Sequence, residues 1–171
     1  NRSHRIDRWI ETLMLYKIGK LKERVTSLQG ANNKVVFTNG CFDILHRGHF
    51  QYLKQSKDLG DFLIVGLNSD SSVKKLKGTG RPINKEQVRS QNLIKLEYVD
   101  AVIIFNEDTP IQLIKSLKPN ILTKGGDYQE SDIVGSKFVE KNGGQVKILP
   151  LLKGYSTTNI IQGKGKGLTA D

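Results

Sequence analysis

The chain has 171 residues, 37% of them hydrophobic, and no run approaches the roughly 20 apolar residues of a membrane helix, so one domain with an ordinary core is expected. The single cysteine, Cys41, excludes an internal disulfide and a thiolate metal cage, which favours a cytoplasmic, reducing compartment. The net charge of +10 comes from dispersed lysines without interleaved aromatic residues, which favours small phosphorylated ligands over nucleic acid.

In chain order, apolar runs predict five buried strands separated by helices. The strands are predicted at 34–38, 62–67, 101–105, 120–124 and 145–149. The helices are predicted at 21–28, 49–59, 84–97, from Pro110, at 130–141 and from near Ser156. This alternation predicts an α/β fold with a single doubly wound, parallel five-stranded sheet, Rossmann-like in architecture.

Local signals refine several boundaries. Asn84 followed by Gln87 predicts a capping box, and Thr109 before Pro110 predicts an N-cap with proline in the first helical position. The basic segment 71–82 predicts a flexible loop that closes over a phosphate.

Three parts of the chain are expected. Residues 1–20 form an N-terminal extension or linker, with an amphipathic pattern that predicts a short helix. Residues 21–162 form the domain, and the Gly-rich residues 163–171 form a flexible tail.

The segment His46-Arg47-Gly48-His49 falls where the first strand passes into a helix. Ligands of such sheets bind outside the carboxyl ends of the strands, and a helix N-terminus there attracts anions. Two imidazoles can donate to phosphate oxygens, and Gly48 leaves room for a phosphate to approach. Zinc is excluded as the use of this pair, because Asp43 alone does not complete a set of three or four ligands.

Other strand ends add polar groups. Lys124-Gly125-Gly126-Asp127 can face a ribose, a base or a sugar, or can form a plain turn. Ser156-Thr157-Thr158 can cap a helix or contact a phosphate. In the basic segment, Lys77 and Arg81 are candidate phosphate ligands, with Arg89 a further one in the following helix; a solvated surface is the alternative for such lysines.

The run from Thr38 to His49, TNGCFDILHRGH, resembles the signature of the cytidylyltransferase-like superfamily. Within it, residues 80–83, 124–128 and 154–161 resemble the heptose 1-phosphate adenylyltransferases, and the resemblance covers about residues 20–162. It implies ATP and Mg²⁺, ADP-heptose as the product for lipopolysaccharide core synthesis, and a homodimer. In that family the domain also occurs joined to a sugar kinase, for which this chain is too short, so a separate kinase is expected.

The resemblance and the strand ends together assign expected roles. The catalytic residues are expected to be His46, His49 and Lys77. The nucleotide is expected to contact Asn39, Gly40, Cys41, Phe42, Gly48, Asn68, Arg81, Gly125, Asp127, Tyr155, Ser156, Thr157 and Thr158. The sugar 1-phosphate is expected to contact Asp43, Arg89 and Lys124. Magnesium is expected to be carried mainly by the triphosphate, with no protein metal site.

The expected reaction is an in-line attack of the acceptor phosphate on the α-phosphorus of ATP, without a covalent nucleophile. One alternative is a CTP-dependent cytidylyltransferase acting on glycerol 3-phosphate or another phospho-alcohol. Related enzymes of that kind carry an arginine before the Ser-Thr-Thr segment, where this chain has Leu152-Lys153-Gly154-Tyr155. The other alternative is a non-catalytic nucleotide- or RNA-binding module, which predicts salt-dependent polynucleotide binding.

Overall fold

The computed structural model describes residues 15–126 and 128–150. Their five strands form one sheet in the order β3-β2-β1-β4-β5, in which all neighbouring strands run parallel. The strands are β1 (Val35–Gly40), β2 (Phe62–Asn68), β3 (Ala101–Phe105), β4 (Ile121–Gly125) and β5 (Gln145–Leu149). The α-helices are α1 (Ile18–Gly30), α2 (Arg47–Asp58), α3 (Asp70–Lys77), α4 (Glu86–Ile94), α5 (Ile111–Leu117) and α6 (Ser136–Lys141). The predicted α/β fold with a doubly wound, parallel five-stranded sheet is confirmed.

Helices cover both faces of the sheet, which is why its strands are apolar on both sides. Val35 and Phe37 of β1 point into a core shared with Leu21 of α1. Val36, between them in the sequence, points into a second core with Leu53 of α2. This alternation along β1 fixes α1 and α2 on opposite faces of the sheet.

The strand order reverses between β1 and β4. From β1 the chain moves outward through β2 to β3, then returns to place β4 on the other side of β1. In a parallel α/β sheet, a crevice for ligands opens at this reversal, outside the carboxyl ends of the two strands. The carboxyl ends of β1 and β4 are Asn39-Gly40 and Lys124-Gly125, so these residues are expected to border a ligand in the crevice.

The prediction of a flexible loop over residues 71–82 is wrong for most of that segment. Residues 70–77 form helix α3, whose N-cap is Ser69, with its hydroxyl accepting the Ser72 amide at 3.2 Å. Asp70 stands in the first turn, and Lys77 is one of three lysines in the last turn, so the charges at both ends complement the helix dipole. Lys77 is therefore held at a helix terminus rather than on a mobile lid.

The predicted capping box at Asn84 is also wrong. Helix α4 begins at Glu86 after Lys85, which makes no side-chain cap. The Asn84 side chain instead donates to the Asp43 backbone carbonyl at 2.7 Å. The Asn84 side chain therefore makes a tertiary contact instead of the helix cap that the local pattern predicted.

Two further helices differ in detail from their predictions. Helix α5 begins at Ile111, so Pro110 occupies the N-cap position rather than the first helical position. The predicted helix over 130–141 is divided into a short 3₁₀ helix, Glu130–Asp132, and α6. The division falls at Gly135, whose φ of 87° lies in the left-handed region that interrupts an α-helix.

The described fold begins before the predicted domain boundary at residue 21. Leu15 pairs with Val102 at the edge of β3, and the Tyr16 amide donates to the Val102 carbonyl at 2.9 Å. The helix predicted near the N-terminus and the tail predicted over 163–171 lie outside the described residues. Within the described ranges, no helix is both long enough and apolar enough to cross a membrane.

Candidate functional site

Two histidines meet at the start of α2, at the carboxyl end of β1. His46 is the N-cap of α2 in an extended conformation, and His49 lies in the first turn. Their rings stack with centroids 3.8 Å apart and planes 24° from parallel. The Phe42 ring meets His49 edge-on at 5.3 Å. Both imidazoles are therefore placed at one helix N-terminus, where the dipole favours an anion.

Both histidines are held in the neutral form. Burial lowers the pKa of His46. Burial lowers the pKa of His49 to about 3, with repulsion from His46 and Lys77 adding to it and a hydrogen bond with the Ile44 backbone opposing it. A neutral imidazole offers one N–H donor and one acceptor. A phosphate placed beside the rings would favour their protonated forms, because a nearby negative charge raises the pKa of a histidine.

The loop between β1 and α2 depends on a close approach between Gly40 and Phe42. A Cβ atom on Gly40 would lie 2.9 Å from Cε2 of Phe42, so a side chain there would displace the ring. Phe42 is buried and has a φ of 45°, a left-handed conformation that is uncommon for a bulky residue. The tight turn brings the loop back over the strand end and seats Phe42 against His49.

Asp43 holds a neighbouring loop in place. One carboxylate oxygen accepts from Arg81 Nε at 2.9 Å and from the Ile83 amide at 2.8 Å. The other accepts from the Asn84 amide at 2.8 Å. Burial acts to raise the pKa of Asp43, but these hydrogen bonds and the Arg81 charge outweigh it and hold the pKa below its usual range. The side chain is fully buried and its oxygens are occupied by these donors, so in this structure Asp43 supports the loop, and its predicted contact with the acceptor stays a prediction.

Arg89 is likewise a supporting residue. Its side chain is fully buried, and its Nε donates to the Asn84 carbonyl at 2.8 Å. Nη1 donates to the carbonyls of Cys41 and Asn68 at 2.8 and 2.7 Å, and Nη2 to the Asp70 carboxylate at 2.8 Å. The guanidinium therefore joins the loop after β1, the end of β2 and the start of α3. The predicted contact between Arg89 and the acceptor stays a prediction.

Asn68 is buried at the end of β2, and its amide nitrogen donates to the Ser72 hydroxyl at 2.9 Å. This hydrogen bond supports α3, and the predicted contact of Asn68 with the nucleotide stays a prediction.

Positive groups surround Cys41, which lies on the loop between the two histidines and β1. Burial raises the pKa of the Cys41 thiol, and the charges of Lys77, Arg89 and Arg81 oppose that effect. Lys77 is exposed at the end of α3. Arg81 Nη2 is buried without a hydrogen-bond partner among the described residues. A buried donor without a partner costs free energy, so an anion beside Arg81 would stabilise this arrangement.

The carboxyl end of β4 closes the other side of the crevice. Burial lowers the pKa of Lys124, and its ammonium lies 5.3 Å from the centre of the Tyr128 ring. Gly125 ends β4, and Asn39 is the second-last residue of β1. The structure thus brings Lys124, Gly125 and Asn39 to the crevice, as the sequence predicted. The other predicted ligand contacts, Asp127, Tyr155, Ser156, Thr157 and Thr158, lie outside the described residues.

Four buried hydroxyls beneath the crevice were missed by the sequence analysis. Tyr52 of α2 shares a short hydrogen bond with Thr38 of β1, and its hydroxyl lies 3.1 Å from that of Thr123 on β4. Ser56 bonds the same Thr123 hydroxyl at 2.9 Å. This hydroxyl cluster (Thr38, Tyr52, Ser56 and Thr123) ties α2 to both strands that border the crevice. The sequence did contain a signal for this cluster: Thr38 follows the apolar residues of β1, and Thr123 follows those of β4.

The described residues contain no group of three or more His, Cys, Asp or Glu side chains arranged to hold a metal ion. Asp43, on the loop after β1, and Asp70, at the start of α3, are paired with Arg81 and Arg89.

Comparison with known proteins matches residues 37–163 to the family described as cytidylyltransferase-like. The bifunctional protein HldE of Campylobacter fetus subsp. fetus is 58% identical over 127 residues, which are 74% of this chain and 27% of that protein. HldE of Helicobacter pylori strain Shi470 is 51% identical over 146 residues, which are 85% of this chain and 31% of that protein. The chain therefore spans less than a third of the length of these curated relatives.

Two solved structures share the fold. The lipopolysaccharide core biosynthesis protein of Thermoplasma volcanium has a TM-score of 0.59 and 36% identity, covering 72% of this chain and 99% of that one. The pantoate-beta-alanine ligase of Francisella tularensis, solved with beta-gamma ATP and beta-alanine, has a TM-score of 0.60 and 18% identity, covering 89% of this chain and 77% of that one. The second likeness concerns the fold alone.

Proposed function

The chain belongs to the cytidylyltransferase-like family, and from that membership we propose that this nucleotidyltransferase moves AMP from ATP to heptose 1-phosphate, giving ADP-heptose and pyrophosphate. The HldE relatives, at 50–58% identity, support a heptose acceptor. The T. volcanium protein, whose full length this chain nearly covers, supports a place in lipopolysaccharide core synthesis. The observation that carries the chemistry is the stacked pair of His46 and His49 at the mouth of the β1–β4 crevice.

The reaction needs positioning and charge stabilisation rather than a nucleophilic side chain. An oxygen of the acceptor phosphate forms a bond to the α-phosphorus of ATP while the bond from that phosphorus to the bridging oxygen of pyrophosphate breaks. His46 and His49 donate hydrogen bonds to the phosphate oxygens, whose negative charge grows during the transfer. Gly48, buried in the first turn of α2, leaves the helix N-terminus open to those oxygens.

Lys77 and Arg81 hold the departing pyrophosphate. Lys77 is exposed at the end of α3, and Arg81 is fixed by Asp43 through Nε while Nη2 has no partner among the described side chains. A guanidinium fixed in this way loses little side-chain freedom when a phosphate binds its remaining donors. These two residues therefore stabilise the leaving group from the β2 side of the crevice.

Magnesium fits this site as a partner of the triphosphate. The Asp43 and Asp70 carboxylates are committed to Arg81 and Arg89, and Mg²⁺ prefers oxygen ligands. The ion would therefore be held mainly by triphosphate oxygens, where it supplies charge neutralisation. His46 and His49 donate to oxygens and stay free of metal in this arrangement.

The enzyme is proposed to act in the cytoplasm as a homodimer. A kinase that phosphorylates the sugar at position 1 must supply the acceptor of this enzyme. This expectation agrees with the relatives, which are bifunctional proteins and of whose length this chain covers 26–31%.

Pyrophosphate release tests the proposal. The protein is incubated with Mg²⁺ and either heptose 1-phosphate or glycerol 3-phosphate, each with ATP and with CTP. The expected result is turnover only with ATP and heptose 1-phosphate. Turnover with CTP and glycerol 3-phosphate would assign the chain to the cytidylyltransferases. Salt-sensitive RNA binding without any turnover would assign it to the non-catalytic binding modules.

A further inference from the structure

We propose that a cavity on the β1–β4 side of the crevice binds the sugar ring of the acceptor, an inference that rests on the proposed function. The cavity has a volume of about 210 Å³ and lies between the carboxyl ends of β1 and β4, the start of α5 and the 3₁₀ helix. Its polar and aromatic lining comprises Asn39, Asp108, Thr109, Lys124, Tyr128 and Asp132. Asn39 and Lys124 also belong to the crevice described above, so the cavity adjoins the crevice.

The lining suits a neutral ligand rich in hydroxyl groups. The Asn39 amide, the Thr109 hydroxyl and the Asp132 carboxylate supply donors and acceptors for such hydroxyls. Tyr128 is 49% exposed, although it lines a cavity, so its ring has a free face on which the C–H groups of a sugar can pack. A cavity with these groups binds a polyhydroxylated ring better than it binds an apolar ligand.

Lys124 orients the acceptor within this cavity. It is half-buried, and no carboxylate of the described residues lies within ion-pair distance of its ammonium. A half-buried charge without a partner favours an anion, which here is the phosphate at position 1 of the sugar. Lys124 and Cys41 are close enough to interact electrostatically, so that phosphate points towards the cations around Cys41.

Charge decides between the sugar and the triphosphate as the occupant of the cavity. Asp108, in an exposed ion pair with Lys75 at 3.6 Å, and Asp132 both line it, and carboxylates repel a triphosphate but accept hydrogen bonds from hydroxyls. The triphosphate is better placed on the other side of β1, near the N-terminus of α2, Lys77 and Arg81. The acceptor phosphate can then attack the α-phosphorus from the side opposite the departing pyrophosphate, as an in-line transfer requires.

Steady-state kinetics with ATP and heptose 1-phosphate, each varied separately, test this assignment in four variants. Tyr128→Ala removes the ring, and Tyr128→Phe keeps it. Asp132→Asn removes the carboxylate charge, and Glu140→Gln is its matched control on the exposed side of α6. Thermal unfolding of each variant shows whether it is folded.

The expected result for Tyr128→Ala and Asp132→Asn is a rise of roughly tenfold in KM for heptose 1-phosphate, with KM for ATP changed less than about twofold. Glu140→Gln should keep wild-type values, and Tyr128→Phe, which keeps the ring, should raise KM for heptose 1-phosphate less than Tyr128→Ala does. A rise in KM for ATP instead would place the base in the cavity and overturn the inference, as would folded variants with unchanged kinetics. A wild-type protein that makes no ADP-heptose would overturn the proposed function itself, and the inference with it.

Discussion

The imidazole rings of His46 and His49 stack at 3.8 Å, three residues apart at the start of α2, and burial lowers the pKa of both. Two cationic rings at that separation would repel each other, so the free protein keeps them neutral. A triphosphate brings the negative charge that makes protonation of a ring favourable. Binding and chemistry at this site are thus coupled to the protonation state of the two histidines.

Replacing His49 tests whether the pair acts in the transition state. His49→Ala is expected to lower kcat about a hundredfold with a smaller change in KM for ATP, since a group that stabilises developing charge contributes about 3 kcal/mol. Gln51→Ala, on the exposed side of the same helix, is the matched control and should keep wild-type turnover. A folded His49→Ala protein with near-normal kcat would exclude the catalytic role.

The low pKa of His49 predicts a dependence of stability on pH. Its folded pKa is about 3, below the unfolded value of about 6.5, so the unfolded state binds more protons between these values. The free energy of unfolding should therefore fall as the pH is lowered from about 6.5 towards 3. Urea denaturation of the ligand-free protein across this range measures the effect.

The control for this pH effect is His49→Gln, which removes the titrating ring and keeps a polar side chain. Its free energy of unfolding should fall less steeply over the same range than that of the wild type. Equal slopes for the two proteins would show that His49 is not held neutral by the fold.

The sheet and the histidine site followed from the sequence because they depend on short-range patterns. The apolar run of β2 is buried along its whole length, and a run of this kind is typical of a strand covered on both faces. Likewise, His46 and His49 lie three residues apart at the start of one helix, so their pairing could be predicted without knowing any long-range contact.

Long-range pairing explains the supporting contacts of Asp43 and Arg89, which the sequence analysis missed. Asp43 and Arg89 were expected to face the acceptor, as charged residues near a strand end commonly do. The segment from Arg81 to Asn84 surrounds Asp43 with donors, and four carbonyl or carboxylate groups surround Arg89. These partners are 19 to 48 residues away along the chain, except that Asn84 is five residues from Arg89, so periodicity and spacing could not reveal them.

The hydroxyl cluster predicts a structural cost for losing one oxygen. Tyr52→Phe removes one hydrogen-bond partner from each of Thr38 and Thr123. Thr38 keeps the Thr123 carbonyl at 3.3 Å and Thr123 keeps the Ser56 hydroxyl at 2.9 Å, so a loss of about 0.5–1.5 kcal/mol in the free energy of unfolding is expected. Urea denaturation measures it, with Tyr98→Phe, at a partly exposed tyrosine, as the control. A change in Tyr52→Phe no larger than in Tyr98→Phe would show that the cluster contributes little to stability.

Arg89 should be among the most sensitive positions in the chain. Arg89→Met keeps much of the side-chain volume but removes the donor to three carbonyl groups and to the Asp70 carboxylate, which is 36% exposed and keeps the Glu86 amide. A loss of about 1–3 kcal/mol in the free energy of unfolding is expected, because buried acceptors lose their donor. Arg24→Met, at an exposed arginine of α1, is the matched control and should change stability little. Denaturant unfolding compares the two. Because Arg89 joins the Cys41 loop to α3, a folded Arg89→Met protein should also lose activity. An Arg89→Met protein as stable as the wild type would show that Arg89 does not hold these two elements together.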